Sequence, residues 1–131
     1  MYRAVLEGIT YEQLQILSMI EADTGVRAER VRLMGGGANS SLWVRLIADI
    51  FERPVEVTEH SETTARGAAV LAAAAVGLDA MWDVVATAGR MSTGWREVLP
   101  GEEGREVYRD RFHVYRELYP ALAPVFARLA E

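Results

Sequence analysis

The chain has no cysteine, and all 14 of its basic residues are arginine, with no lysine among 131 residues. The first absence excludes disulfides, thiolate nucleophiles and cysteine metal ligands, and it fits a cytoplasmic protein. The second removes the lysine of a P-loop and any Schiff-base lysine. Histidine is scarce as well: His60 and His113 lie far apart, and neither sits at a metal-ligand spacing, so no zinc site is expected. His113 falls in a helical run and reads as a packing or surface residue. No apolar run is long enough to span a bilayer, since residues 65–76 are too few and too rich in alanine. The opening, Met1 to Glu7, is not laid out as a signal peptide, because a glutamate interrupts it early. A formal net charge of −5 disfavours nucleic acid as a partner. With 50% hydrophobic residues, a real core is possible, and the length suits one domain or part of one.

What the chain does have is a glycine turn: Val31-Arg32-Leu33-Met34-Gly35-Gly36-Gly37-Ala38-Asn39-Ser40-Ser41-Leu42-Trp43. Three consecutive glycines suit neither a helix nor a strand interior, because each loses much backbone freedom on ordering. They suit a turn that needs positive φ, or a place where a ligand meets bare backbone. Asn39, Ser40 and Ser41 are all good N-cap residues, and Leu42, Leu46 and Ile50, with Trp43 and Ile47 beside them, form one apolar helical face. Strand, turn and helix N-terminus together bring free N–H groups and the positive end of a helix dipole to one place, which suits phosphate. A glycine-rich turn can also exist only to let a strand and a helix pack closely, so the local pattern leaves both readings open.

Around this turn the sequence predicts a helix-rich α/β chain. Residues 2–22 form a helix with Val5, Ile9, Ile16 and Ile20 as its core stripe, widened by Leu6, Leu14, Leu17 and Met19. Gly8 marks a close neighbour, and Thr24-Gly25 the stop. The chain reads as a domain entered midway, since no cap or strand precedes this helix. Strands at 30–34 and 54–58 flank a helix from Ser40 to Glu52, an order that implies a parallel pair with a right-handed crossover. Glu59 to Thr63 is a polar connection, with Ser61 or Thr63 capping a helix of small residues, Thr64 to Val76, that packs closely on its neighbours. Gly77 ends it. A short helix from Ala80 to Ala88 carries Met81, Trp82 and Val85, Met91 to Thr93 forms a loop, and Trp95 to Leu99 is extended. After Pro100-Gly101, a helix from Glu102 carries the stripe Tyr108, Phe112, Tyr115 and Tyr119, expected to pack on the body. Pro120 kinks or ends it, and a last amphipathic turn reaches Leu129. There is no internal repeat.

Three pieces in register carry a resemblance. They are Arg3-Ala4-Val5-Leu6-Glu7-Gly8-Ile9; Gly35 through Trp43, continuing with Ala48-Asp49-Ile50 and Arg53-Pro54-Val55; and Glu62-Thr63-Thr64-Ala65-Arg66-Gly67-Ala68-Ala69. Together with the tail Tyr115-Arg116-Glu117-Leu118-Tyr119-Pro120, the chain resembles the C-terminal half of the FGGY carbohydrate kinases, which include xylulose, ribulose, gluconate and glycerol kinases. The triple glycine and the Leu42-Trp43 pair are most like xylulose kinases. The resemblance implies an α/β fold: part of an actin-like ATPase (ribonuclease H-like) domain, helix-rich with a small parallel sheet. It makes residues 1–131 part of the nucleotide-side domain of a pentulose-type kinase that uses ATP and Mg2+. It sets Gly35, Gly36 and Gly37 against nucleotide phosphates, Asn39 and Ser40 near the adenosine end, and Gly67, Ala68 and Ala69 in a helix packed tightly behind the cleft.

It also implies what is missing. The family's catalytic aspartate, its sugar contacts and a second phosphate loop belong to the N-terminal half, and the strands that open the domain would precede Met1. Asp23, Asp49, Asp79, Asp83 and Asp110 match no catalytic base and read as surface or capping carboxylates, so no catalytic or metal-binding residue is assigned. Phosphoryl transfer needs positioning and electrostatics from both sides, so the chain alone is expected to be inactive, with weak affinity for adenine nucleotides at most. Two other readings compete. Gly35-x-Gly37-x-x-Ser40, with Glu56 about twenty residues on, resembles a dinucleotide fingerprint, though serine stands at its third position. A non-catalytic interaction module is the other. With few strands and an open edge, either self-association covering the first helix and sheet edge, or docking of an N-terminal kinase half, is expected.

Overall fold

The computed structural model describes residues 1–58, 62–77, 83–91 and 94–129. Expectations for Glu59, His60, Ser61, Asp79, Met81, Trp82 and Thr93 lie outside these. Along the chain run α1 (Tyr2–Thr24), β1 (Val31–Leu33), a 3-10 turn (Gly36–Asn39), α2 (Ser41–Phe51), β2 (Val55–Thr58), α3 (Thr63–Ala75), α4 (Val84–Met91), β3 (Trp95–Val98) and α5 (Arg105–Leu129). Among the described residues no helix is long and apolar enough to cross a membrane.

The most deeply packed element is α2. Val44, Leu46, Ile47, Ala48, Ile50 and Phe51 are all buried, because α2 lies between α1, α5 and the sheet. The apolar face is rotated from the one the spacing predicts, and Leu42 is exposed. Ser40 caps the helix, its hydroxyl accepting from the Trp43 N–H at 3.3 Å. At the other end Glu52 takes a left-handed conformation, φ 52°, without being glycine. Its carboxylate is gripped by the Arg109 guanidinium through both oxygens, which fixes the turn in place.

β1 and β2 pair in parallel as expected, Val31 opposite Val55 and Leu33 opposite Val57. β3 adds to the other side of β2 in antiparallel register, Val55 opposite Val98 and Thr58 opposite Trp95. The sheet is therefore mixed rather than wholly parallel. Periodicity carries no direction; here it is set by a distant pin. The Gly101 N–H, just past β3, donates to Asp49 of α2 at 2.7 Å, and Arg45 donates to the Leu99 carbonyl at 3.4 Å.

Three expectations are corrected. On α1 the buried side is Leu6, Glu7, Thr10 and Tyr11, with Leu14 and Leu17 packed against the core. Val5, Ile9, Ile16, Met19 and Ile20 are exposed, and nothing lies within 4 Å of a Cβ built on Gly8. The helix has two apolar faces, and the more regular one points to solvent. On α3, which packs on α4, only Val70 and Ala74 are buried. Gly67, Ala68 and Ala69 are exposed, so tight packing does not explain their size within this chain. Thr63 lies inside α3, and Glu62 stands at its cap position with no side-chain cap bond. In α4, by contrast, Asp83 caps the start, its Oδ1 accepting from the Val85 and Ala86 N–H groups at 2.9 and 3.1 Å.

α5 runs unbroken through Pro120 and Pro124. Both are exposed, so carbonyls left without a helical donor remain open to water. Its aromatic stripe packs as expected over the first part: Tyr108 is buried, and the rings of Phe112 and Tyr115 lie 6.1 and 5.6 Å from that of Tyr11. Tyr119 is exposed and meets Phe126 instead.

Two carboxylates tie distant segments. Glu21 receives both terminal nitrogens of Arg53, at 2.7 and 2.9 Å, and the Ala28 N–H. Glu56 receives Arg32 at 2.7 Å as well as Arg30. Hydrogen bonds from Arg53 hold the Glu21 carboxyl below its ordinary range, and those from Arg32 and then Arg30 do the same for Glu56. A depressed folded-state pKa gives stability that is complete above the unfolded value and is lost as pH falls through the folded one. The urea midpoint should therefore fall between about pH 5 and about pH 3. Glu56→Gln should lower the midpoint at neutral pH and flatten its acid limb; an unchanged acid limb would disprove the assignment. Ile47→Ala, at a site only 1% exposed, should cost about 2–5 kcal/mol in the same measurement.

Candidate functional site

The three glycines of the turn sit in three different environments. Gly35 sits at φ 81°, ψ −168°, a region that side chains essentially forbid. Gly37 lies under an indole: a Cβ there would be 3.0 and 3.2 Å from two ring carbons of Trp43. At Gly36 the backbone is ordinary and a Cβ would meet nothing within 4 Å. Neither conformation nor packing within this chain requires glycine at position 36.

The turn closes through the Ala38 N–H on the Gly35 carbonyl at 3.0 Å and the Ser40 N–H on the Gly37 carbonyl at 3.2 Å. Ala38 is buried, whereas Gly36 and Asn39 face solvent. Among the described residues the N–H groups of Gly36, Gly37, Ser41 and Leu42 have no acceptor. The last two begin α2, where the helix dipole adds positive potential. Gly36, Gly37, Ser41 and Leu42 thus offer unpaired backbone donors within one short stretch that also carries Gly35 and the side chains of Asn39 and Ser40, a chemistry that would suit an anion such as a phosphate.

Trp43 fixes this surface to the body. Its Nε1–H donates to the Thr10 hydroxyl at 3.1 Å, and Thr10, fully buried, donates to the Leu6 carbonyl at 2.7 Å. Sequence reasoning placed Trp43 on the helix face but gave no sign of Thr10, which looks like an ordinary polar residue in α1.

Among the described residues the remaining titratable groups do not build a second centre. Asp49 holds Gly101 and Arg45, Asp83 caps α4, and Asp23 and Asp110 are exposed. Glu56, the acidic residue a dinucleotide fingerprint would offer to a ribose, is 8% exposed and held by Arg30 and Arg32. That engagement removes it as a ribose ligand. Among the described residues no three His, Cys, Asp or Glu side chains gather into a metal-sized group.

Residues 1–76 match the FGGY family of carbohydrate kinases, C-terminal domain. A glycerol kinase of Symbiobacterium thermophilum is 35% identical over 106 residues, covering 81% of this chain and 21% of that protein. Among solved structures, a ligand-bound xylulose kinase from Lactobacillus acidophilus superposes with a TM-score of 0.79 at 25% identity, over 96% of this chain and 25% of the other. A gluconate kinase from the same organism gives 0.78 at 25% identity, over 96% and 25%. A Plasmodium falciparum glycerol kinase with ADP gives 0.65 at 25% identity, over 88% and 23%. The chain thus spans about a fifth to a quarter of the kinases it matches, and they divide among several sugars and polyols. The strand, glycine turn and capped helix lie within the matched residues, and the chain belongs to the FGGY family of carbohydrate kinases, through its C-terminal, actin-like ATPase domain.

Proposed function

We propose that this chain contributes the nucleotide-phosphate side of an ATP-dependent sugar kinase of the pentulose type, and is inactive alone. The observation that carries the reading is Gly36: open space above ordinary backbone, between N–H groups that lack acceptors. Those groups would hold phosphate oxygens of ATP, with Asn39 and Ser40 toward the adenosine. Magnesium would enter with the nucleotide, since the described residues offer it no carboxylate cluster. The contacts are exposed on one side, and charge-assisted hydrogen bonds gain less in water than in a closed cleft. Affinity of the chain alone is therefore weak.

The natural partner in this reading is the N-terminal kinase half, supplying the base, the sugar site and the second phosphate loop, in the cytoplasm. Its docking surface is the outer face of α1, with Val5, Ile9, Ile16 and Ile20 exposed. It continues into an open groove of about 330 Å3 along β1, lined by Leu17, Val31, Leu33, Ile47 and Phe51.

Calorimetry with MgATP, beside a coupled assay over several pentuloses, tests this. Weak binding and no sugar phosphorylation are expected from the purified chain. Gly36→Val should abolish the binding with little change in the unfolding midpoint. Gly37→Val should instead lower the midpoint, because its side chain displaces the Trp43 ring. Turnover by the chain alone, or undiminished MgATP binding in Gly36→Val, would overturn the assignment.

A further inference from the structure

α5 has a second apolar face that the kinase reading does not use. Val107, Leu118 and Leu129 recur at a constant eleven-residue spacing, and Val114 and Val125 repeat it between them. An eleven-residue period keeps a stripe on one side of a nearly straight helix. All five are exposed, by 38–79% of their surface. The stripe is turned away from Tyr108 and Phe112, which face the core, and its middle borders an open groove of about 410 Å3 lined by Tyr115, Leu118, Tyr119, Leu122 and Phe126. Pro120 and Pro124 fall on the far side by helical spacing, so their missing N–H groups do not interrupt it.

We propose that this stripe pairs antiparallel with the same stripe of a second copy of this chain, about a two-fold axis beside Leu118. The pattern is self-complementary about that residue. Val107 and Leu129 are equidistant from it, and so are Val114 and Leu122, so a two-fold sets each against its counterpart while Leu118 meets itself; Val125 alone faces a charged residue, Arg111, whose guanidinium is tied back to Glu7. The charges fit the same axis. Asp110 and Arg128 flank the stripe on one side, at nearly equal distances along the chain from Leu118. Neither has a hydrogen bond or ion pair among the described residues. In an antiparallel pair, residues on the same flank face each other, so each Asp110 meets Arg128 of the second copy, twice over. An isologous contact needs this self-matching; a parallel pair would leave each Asp110 about 27 Å along the helix from the copy's Arg128 and on the opposite flank.

Sedimentation of the whole chain over about 1–100 μM should show a concentration-dependent dimer. Asp110→Arg and Arg128→Asp should each weaken it about tenfold, and the double variant should restore it, an outcome that misfolding cannot mimic. Because the chain has no cysteine, single thiols report the geometry. Under mild oxidation Leu118→Cys should form a linked dimer and Val107→Cys should not, whereas Val107→Cys with Leu129→Cys should. A monomer throughout, a double charge variant no better than the singles, or cross-linking by Val107→Cys alone would overturn the proposal. So would displacement of the dimer by an added N-terminal kinase half, since the stripe would then belong to that contact. Calorimetry with MgATP on the Leu118→Cys chain should be unchanged, which keeps this test separate from that of the phosphate site.

Discussion

The indole of Trp43 is the contact on which the site depends. It covers Gly37, caps the space beneath the 3-10 turn, and reaches through its N–H to Thr10 in the core of α1. The turn, the start of α2 and the distant helix α1 meet at this one side chain. A larger residue at 37 would push the ring away, and loss of the Thr10 hydroxyl would leave a ring N–H without a partner at a half-buried position. The turn can then keep Gly36 and its neighbours open to solvent without depending on their own contacts. Rigidity comes from behind the turn, and its outer surface stays exposed, as the proposed phosphate contact requires.

That division explains what sequence reasoning recovered. A strand, a glycine run and an N-cap are local features, and local features set local structure: Ser40 caps α2, Gly35 takes the conformation only glycine tolerates, and the parallel pair follows from the short crossover. The aromatic spacing from Tyr108 to Tyr115 likewise pointed to a packed face. Properties set by distant partners were not legible. The direction of β3 depends on Asp49 and Arg45 holding the segment after it. The burial of Glu56 depends on Arg30 and Arg32. Neither pairing leaves a periodic trace.

α1 shows why hydrophobic spacing alone misleads. Apolar residues occupy more than one side of the helix, and the four-residue recurrence of Val5, Ile9, Ile16 and Ile20 is cleaner than that of the buried side. The buried side includes Glu7 and Thr10, which a hydrophobicity count sets aside. Their burial is tolerated because each has partners: Glu7 accepts from Arg3 and Arg111, and Thr10 both donates and accepts. Polar residues thus mark the internal face, and the plain apolar stripe marks a surface.

The same logic applies to the molecule as a whole. Monomeric proteins rarely leave long apolar stripes in water, yet here α1 and α5 each carry one on a side turned away from the shared core. α1 and α5 run in the same direction, as shown by Arg3 meeting Tyr108, Glu7 meeting Arg111 and Glu12 meeting Tyr115. Tyr11, Phe112 and Tyr115 fill the seam between them. Each helix therefore has its inner face fixed by polar and aromatic contacts with the other, and its outer face free. An outer face with no charge pattern of its own, as on α1, accepts whatever apolar surface fits its shape. One with opposite charges placed nearly symmetrically about its centre, as on α5, would find the complementary charge at each end on an inverted copy of itself, which is the basis of the proposed pairing.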